Sequence, residues 1–413
     1  MEACAAPDRV ALVGGAVRDL LLHREHDDPW LGVPDLDLVV EPADPAEAQE
    51  HAAEEPSPAQ RLARRLRQQL EPERLVFYQE HGAYGTVELE LLLEDGPVLL
   101  DVASARRERY PVAAENPQVA FGLLADDLAR RDFTINAMAL RLEPGAPVLL
   151  DPHGGRADLG GRVLRFLHDH SVRDDPTRVL RGARYAARMG FALAPESLVQ
   201  LHDTLARWPW RWRPGDPPCQ APPALGTRLR MELELMLARE PWPRAMAVLQ
   251  QWGALLLLDP GLQADPHWRR RLGWASRLSL PLLPALLAGA AEPVALAERL
   301  QVPHRHHRLL ERFGTLRRRL DALPEAATIG RWTPAQWCAL LEAPGGSPEA
   351  VALALAAGVG PRRPLLRWWL RWRHLRAGAT AAEIMASENL QPGPDLGERL
   401  RTLRRERLAR ERL

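Results

Sequence analysis

The chain has 413 residues, 46% of them hydrophobic, and its 54 basic and 54 acidic residues give a formal net charge of zero. This length asks for two or three packed cores rather than one, the apolar content excludes wholesale disorder, and the charge balance argues against a nonspecific nucleic-acid coat. No apolar run approaches the ~20 residues that span a bilayer, and the opening MEACAAPDRV, with its early acid, does not read as a signal peptide. Three widely separated cysteines (Cys4, Cys219, Cys338) exclude a disulfide framework or a four-cysteine zinc site and suit a reducing cytoplasm. There is no lysine, so every fixed cation is an arginine, a planar fork that grips phosphate or a base edge bidentately.

Residues 1–150 alternate short β-type runs with helical ones. Val10–Val13 reads as a buried strand, Gly15–Leu22 as a helix, and Leu36–Val40, Thr86–Leu93 and Val98–Val102 as further strands. Glu41–Glu73 reads as helix broken at Pro56 and Pro58, and Ala125–Leu142 as a helix closing near Pro144–Gly145. From Asp151 onward, Leu-, Ala- and Arg-rich amphipathic stretches take over, clearest at Arg178–Met189, Leu225–Ala238, Met246–Leu257 and Glu298–Ala322, with a proline-rich break at Trp208–Pro223. The expectation is an α+β chain: a head with a small mixed sheet over 1–150, then all-α segments over 151–240 and 241–413.

The first chemical signal is Asp35-Leu36-Asp37-Leu38. On a strand, residues two apart share a face, so Asp35 and Asp37 stand side by side while Leu36 and Leu38 enter the core. Adjacent carboxylates repel, and a divalent cation between them removes the conflict; Mg²⁺, held by few carboxylates plus substrate phosphates, is the expected partner. Upstream, VALVGGAVRDLLL reads as strand, Gly14-Gly15 turn, and a helix carrying Arg18, a setting in which a helix N-terminus receives phosphate. Neither a dinucleotide fingerprint nor a P-loop is present. Asp101, at the end of an apolar strand, is a third candidate acid.

Two further segments carry arginine beside acid. In Ala129–Arg141, a helix would place Asp132 and Asn136 on one face with Arg130 and Arg131 at its start. In RDDPTRVLRGARYAARMGF, a helix would align Asp174 or Asp175 with Arg178 and Arg181, and Arg184 farther along the stripe. Asp175 and Arg178 are either a simple ion pair or an acceptor and donor set against a nucleobase edge. His23 and His26 beside Asp27 and Asp28 read as a solvated loop more readily than as a metal site.

In this order, LVGGAVRDLLL, DLDLVV, DVASARRERY, DDLARRDFTINAMAL, DPHGGRADLGGRVLRF and DDPTRVLRGARYAARMGF resemble the class II tRNA nucleotidyltransferase and bacterial poly(A) polymerase family, over roughly residues 8–240. The resemblance implies a catalytic head, a neck (151–240) that reads the nucleobase, and a body and tail (241–413) that bind RNA. Asp35 and Asp37 would hold Mg²⁺ in a two-metal site, with Asp101 as the third carboxylate. Gly14, Gly15 and Arg18 would contact the triphosphate, and Arg130, Arg131, Asp132 and Asn136 the ribose and phosphates. Asp175 and Arg178 would face the Watson–Crick edge of CTP or ATP, with Arg181 and Arg184 near the phosphates or behind the base. Asp151, Gly154 and Gly155 would form a hinge. The implied partner is tRNA, through its 3′ end and acceptor region, in the cytoplasm.

The resemblance spans CCA addition, CC-only addition, A-only addition and poly(A) tailing, and the wording of RDDPTR and RRDFTINAMA leans toward A-only or full CCA addition. A noncatalytic RNA-binding paralogue is the contrasting class. Leu365–Arg376 bears on it, reading either as an amphipathic helix with buried tryptophans or as an Arg–Trp stripe on which bases stack.

Overall fold

The computed structural model describes residues 9–30, 32, 35–42, 55–82, 85–94, 96–143, 145–324 and 329–411. Cys4, the MEACAAPDRV start up to its eighth residue, Pro144, and parts of Glu41–Glu73 and of His23–Pro34 lie outside them. The chain packs into two compact units, one of Met1–Arg213, Pro222–Glu232 and Ala238–Ala254, the other of Pro214–Ala221, Leu233–Leu237 and Leu255–Leu413.

In the first unit, β1 (Arg9–Val13), α1 (Gly15–His26), β2 (Asp35–Glu41), α2 (Pro58–Gln69), β3 (Leu75–His81), β4 (Thr86–Leu93) and β5 (Gly96–Ser104) come first. The ribbon β6 (Arg106–Arg109) and β7 (Gln118–Phe121) follows, then α3 (Leu124–Ala129), β8 (Ala139–Arg141) and β9 (Val148–Leu150). Seven of these strands form one mixed sheet, in the order β3-β4-β5-β2-β1-β8-β9, with β2 and β5 parallel. Its two faces follow the alternation of the sequence. Val10, Leu38, Val40, Val87, Leu89, Leu100 and Val102 pack against Ala59, Leu62 and Ala63 of α2, while Ala11, Val13, Val39 and Ala139 pack against Leu124 and Leu128 of α3. Ser57 starts α2 with a capping box, accepting from the Gln60 amide while its own amide donates to the Gln60 side chain.

The expected helix over Ala125–Leu142 does not form. α3 stops at Ala129, Thr134–Asn136 is a single 3₁₀ turn, and β8 follows. The cause lies in Asp132 and Phe133: the Asp132 carboxylate accepts from the amide of Phe133 (2.9 Å), which competes with helical pairing, and Phe133 turns extended to stack on Phe166, ring centroids 5.1 Å apart. Sequence reading also missed β3, β6 and β7; in β3 the adjacent Val76 and Phe77 are both exposed, so the strand shows no apolar–polar alternation.

Past β9 the unit is helical except for a two-residue bridge of β10 (Val163–Leu164) with β11 (Ala192–Leu193). Its helices are α4 (Gly155–Gly160), α5 (Ser171–Asp174), α6 (Thr177–Met189), α7 (Pro195–Arg207), α8 (Thr227–Arg239, of which Leu233–Leu237 counts with the second unit) and α9 (Trp242–Gln251). Gly155 starts α4 where no side chain fits, since a Cβ there would stand 2.3 Å from the Thr134 carbonyl oxygen, and the Asp151 carboxylate accepts from the amides of Gly155 and Arg156. His23 and His26 form the last turn of α1 rather than a loop, because the helix runs on to a left-handed C-cap at Asp27; His23 Nδ1 meets the Asp28 carbonyl, and the Asp28 carboxylate pairs with Arg162.

The second unit is a helical assembly. Arg271, buried in it, donates to the Ala285 and Leu286 carbonyls, so a helix end is closed from inside the core. Leu365–Arg376 is not one helix: the helix ends at Leu370 and Trp372–His374 is a 3₁₀ turn, yet Trp368 and Trp372 are buried and Arg373 lies over Trp369 at 3.6 Å, so no open stacking stripe forms. No helix among the described residues is long and apolar enough to cross a membrane.

Candidate active site

A cleft of about 820 Å³ opens in the first unit, and all fourteen residues singled out from the sequence line it: Gly14, Gly15, Arg18, Asp35, Asp37, Asp101, Arg130, Arg131, Asp132, Asn136, Asp175, Arg178, Arg181 and Arg184. The sheet supplies the acids. Asp37 and Asp101 are register partners across the parallel β2–β5 pair, and Asp35 stands two residues before Asp37 on the same face. Asp101 sits inside β5 rather than at its end. Burial raises the pKa of both Asp37 and Asp101; Arg131 pulls Asp37 back, while Asp35 and Asp127 push it up, and Asp37, Glu88 and Asp35 push Asp101 up.

An oxygen-only donor set strained by its own repulsion fits a hard divalent cation. Among the described residues no three His, Cys, Asp or Glu side chains already close into a cage; the acids form an open face of the kind completed by substrate phosphate. Asp101→Asn should therefore stabilise the cation-free protein by up to about 1 kcal/mol, the cost of like charges opposed across two strands. Melting with and without Mg²⁺ checks this: the variant melts higher than wild type under chelation and gains less from added cation.

At the end of β1 the chain must turn sharply into α1. Gly14 has φ +71, and a Cβ there would meet Arg131 Nη1 at 3.0 Å and Asp37 Oδ2 at 3.2 Å, so the turn sits directly over the acids. Gly14→Ala should lose about 1–2 kcal/mol from the left-handed backbone and displace Arg131; a urea titration measures the first effect and the KM for nucleoside triphosphate the second.

Opposite the acids stands a preset arginine wall. Asp127, fully buried, accepts from Arg130 (2.6 and 3.0 Å) and Arg131 (3.0 Å), and Arg130 also donates to Glu108. Arg18 chelates Asp19, donates to Asn136 Oδ1 at 2.9 Å and lies over the Tyr185 ring. Asn136 in turn donates to Asp132 at 3.0 Å, so the pairing expected from helical spacing is made by the 3₁₀ turn instead.

Deeper in the cleft, Asp175 is not part of α6. It precedes Pro176, and its carboxylate accepts from the Thr177 amide (3.1 Å), Thr177 Oγ1 (2.5 Å), Arg181 (3.2 Å) and Arg228 (2.6 Å). Burial alone would raise its pKa, but Arg181 and Arg228 overcome this and hold it near 2. The i,i+3 partner suggested by spacing, Arg178, turns elsewhere, to His168 Nε2 (3.0 Å) and the Arg130 carbonyl (2.9 Å). Arg181 also binds Asp132 (3.0 Å). Burial is the largest influence on the Asp132 pKa and raises it, yet Arg181 and the Asn136 hydrogen bond bring it below the ordinary carboxylate value. Arg184 pairs with Glu232 at 2.6 Å and with Glu240, which Arg188 shares. Sequence reading missed Asp127, Arg228, Glu232, Glu240 and Tyr185. Only Asp127 left a local signal, three and four residues before the two arginines it clamps.

One cleft thus joins an acidic strand face, a Gly-Gly turn and arginines with fixed counterions, the charge pattern of a site for a polyanion and a cation. Residues 10–165 match the Poly A polymerase head domain. Over 369 residues the chain is 38% identical to the CC-adding tRNA nucleotidyltransferase of Deinococcus radiodurans, covering 87% of this chain and 84% of that protein. It is 40% identical to the A-adding tRNA nucleotidyltransferase of Aquifex aeolicus over 187 residues, 45% of this chain and 19% of that one. The solved structure of the Thermotoga maritima CCA-adding enzyme complexed with tRNA shares the fold, with a TM-score of 0.63 at 23% identity, covering 98% of this chain and 88% of that one. The chain belongs to the tRNA nucleotidyltransferase and poly(A) polymerase family, whose members are nucleotidyltransferases.

Proposed function

We propose that this chain adds nucleotides to the 3′ end of tRNA without a template, transferring CMP or AMP from CTP or ATP, as one step or more of CCA-end synthesis. The observation that carries this is the continuity of one cleft from Asp35, Asp37 and Asp101 to Asp175 and Arg178. The likeness to a CC-adding enzyme over 87% of this chain and 84% of that one supports CC addition over the A-only lean of the sequence wording, since the Aquifex aeolicus A-adding relative aligns over 45% of this chain and 19% of its own length.

In this reading Asp35 and Asp37, with Asp101 beside them, would hold Mg²⁺. When bound, such cations activate the RNA 3′-hydroxyl and neutralise the departing pyrophosphate. The protein's share is positioning. The Gly14-Gly15 turn admits the triphosphate close to the backbone, and Arg18, Arg130 and Arg131 meet its oxygens already oriented by Asp19, Asn136, Asp127 and Glu108. Asp132 and Asn136 take the ribose. Asp175 accepts from, and Arg178 donates to, the Watson–Crick edge, while Arg181 and Arg184 lie near the phosphates or behind the base. Residues 1–150 act as catalytic head, 151–240 as base-reading neck, and 241–413 as RNA-binding body and tail, with Asp151, Gly154 and Gly155 as the hinge.

The test is extension of tRNA truncated before its CCA, of tRNA ending in CC, and of an unrelated RNA, with CTP and ATP supplied separately. Two CMP additions to the first and none of AMP to the second support CC addition. AMP on the second alone would restore the A-only reading, and long tails on the unrelated RNA would make the chain a poly(A) polymerase.

A further inference from the structure

Arg178 is held by two groups from different parts of the chain, and one of them lies outside the cleft. Its Nη2 donates to the Arg130 carbonyl at 2.9 Å, which ties it to the triphosphate wall. Its Nη1 stands 3.0 Å from His168 Nε2, on the segment between β10 and α5. The Arg178 Nε is buried with no hydrogen-bond partner among the described residues, and the side chain lines the cleft. The guanidinium is thus pinned at two corners while the rest of its N–H fork is unspent.

We propose that His168 is a positioning residue for nucleobase selection, its Nε2 accepting a hydrogen bond from Arg178 and so fixing the angle at which that guanidinium meets the base. The inference rests on Arg178 as a base reader. Arginine carries donors only and stays charged, so the imidazole nitrogen in this contact must be the acceptor, and the ring must be neutral with its proton on Nδ1. The environment agrees: burial first, then the Arg178 charge, lowers the His168 pKa to about 4. The backbone of His168 is itself fixed, its carbonyl accepting from Gln200 Nε2 at 2.8 Å and its amide donating to Ser171 Oγ at 3.3 Å. His168 does not line the nucleotide cleft; it lines a separate cavity of about 670 Å³. It therefore acts through Arg178 and not on the substrate.

The experiment compares His168→Leu, His168→Gln and His168→Asn. Each is assayed for kcat/KM with CTP, ATP, UTP and GTP on one truncated tRNA, alongside its melting temperature. A glutamine carbonyl reaches the position of Nε2; leucine offers no acceptor and asparagine falls short. His168→Leu is expected to reduce discrimination against the wrong nucleotides about ten- to a hundredfold, the effect of losing one hydrogen bond to a charged group, and His168→Gln to restore it to within about threefold. A folded His168→Leu with unchanged discrimination overturns the proposal. So does a His168→Gln no better than His168→Asn, the comparison that decides if the leucine variant fails to fold. Full discrimination in Arg178→Ala would instead remove the base-reading role on which the inference stands.

Discussion

Asp175→Ala is expected to lose about 3–5 kcal/mol of stability, the range for breaking a buried ion pair from one side, together with the ability to choose among nucleotides. Both effects come from one carboxylate. Removing it leaves Arg228 without this counterion and Arg181 with only Asp132 and Glu232, while the Thr177 amide and hydroxyl lose their acceptor. Because Asp132 and Glu232 still hold Arg181, the loss belongs at the lower end of the range. The sign with pH follows from the depressed pKa, about 2 in the folded protein. The carboxylate's contribution is fully present above the ordinary aspartate value near 4 and fades as pH falls through 2, so wild type and variant converge in strong acid. Urea midpoints across that interval measure the convergence.

Asp37→Asn is expected to reduce nucleotide incorporation by at least about a thousandfold, equivalent to roughly 4 kcal/mol of lost charge stabilisation, while tRNA affinity stays within about twofold. Asp37 is the acid with most around it. It pairs in register with Asp101, shares a face with Asp35, and approaches the Gly14 turn and Arg131. Asparagine keeps its shape but removes the charge that a cation would meet. Filter binding and primer extension on the same preparations separate the two quantities. Unchanged incorporation would rule out the acids as the reacting centre.

The acids were legible because strand alternation is local: Asp35 and Asp37 declare their shared face two residues apart. That Asp101 stands opposite Asp37 was not, because parallel pairing of β2 with β5 depends on a hairpin and a helix between them. The arginine segment was legible in membership and wrong in shape. Asp132 and Asn136 do meet, but through a 3₁₀ turn, after Asp132 captures the neighbouring amide and ends any helix. The helix expected to carry Asp175 together with Arg178 starts only at Thr177, since the residue before Pro176 avoids helical backbone, and this detaches Asp175 from the Arg178 register. The counterions Glu232 and Glu240 lie some 50 residues from the arginines they hold, a distance at which no periodicity speaks.

The central claim is that protein side chains, not a complementary strand, select the nucleotide. It is tested most directly by the incorporation rates of the four nucleoside triphosphates into one tRNA lacking its CCA, with Mg²⁺ and no other nucleic acid. Selection of CTP over UTP and GTP by at least about a hundredfold is predicted, as for a site whose buried polar groups go unpaired with the wrong base. Comparable rates for all four, or a preference that follows the terminal sequence of the RNA, would contradict it.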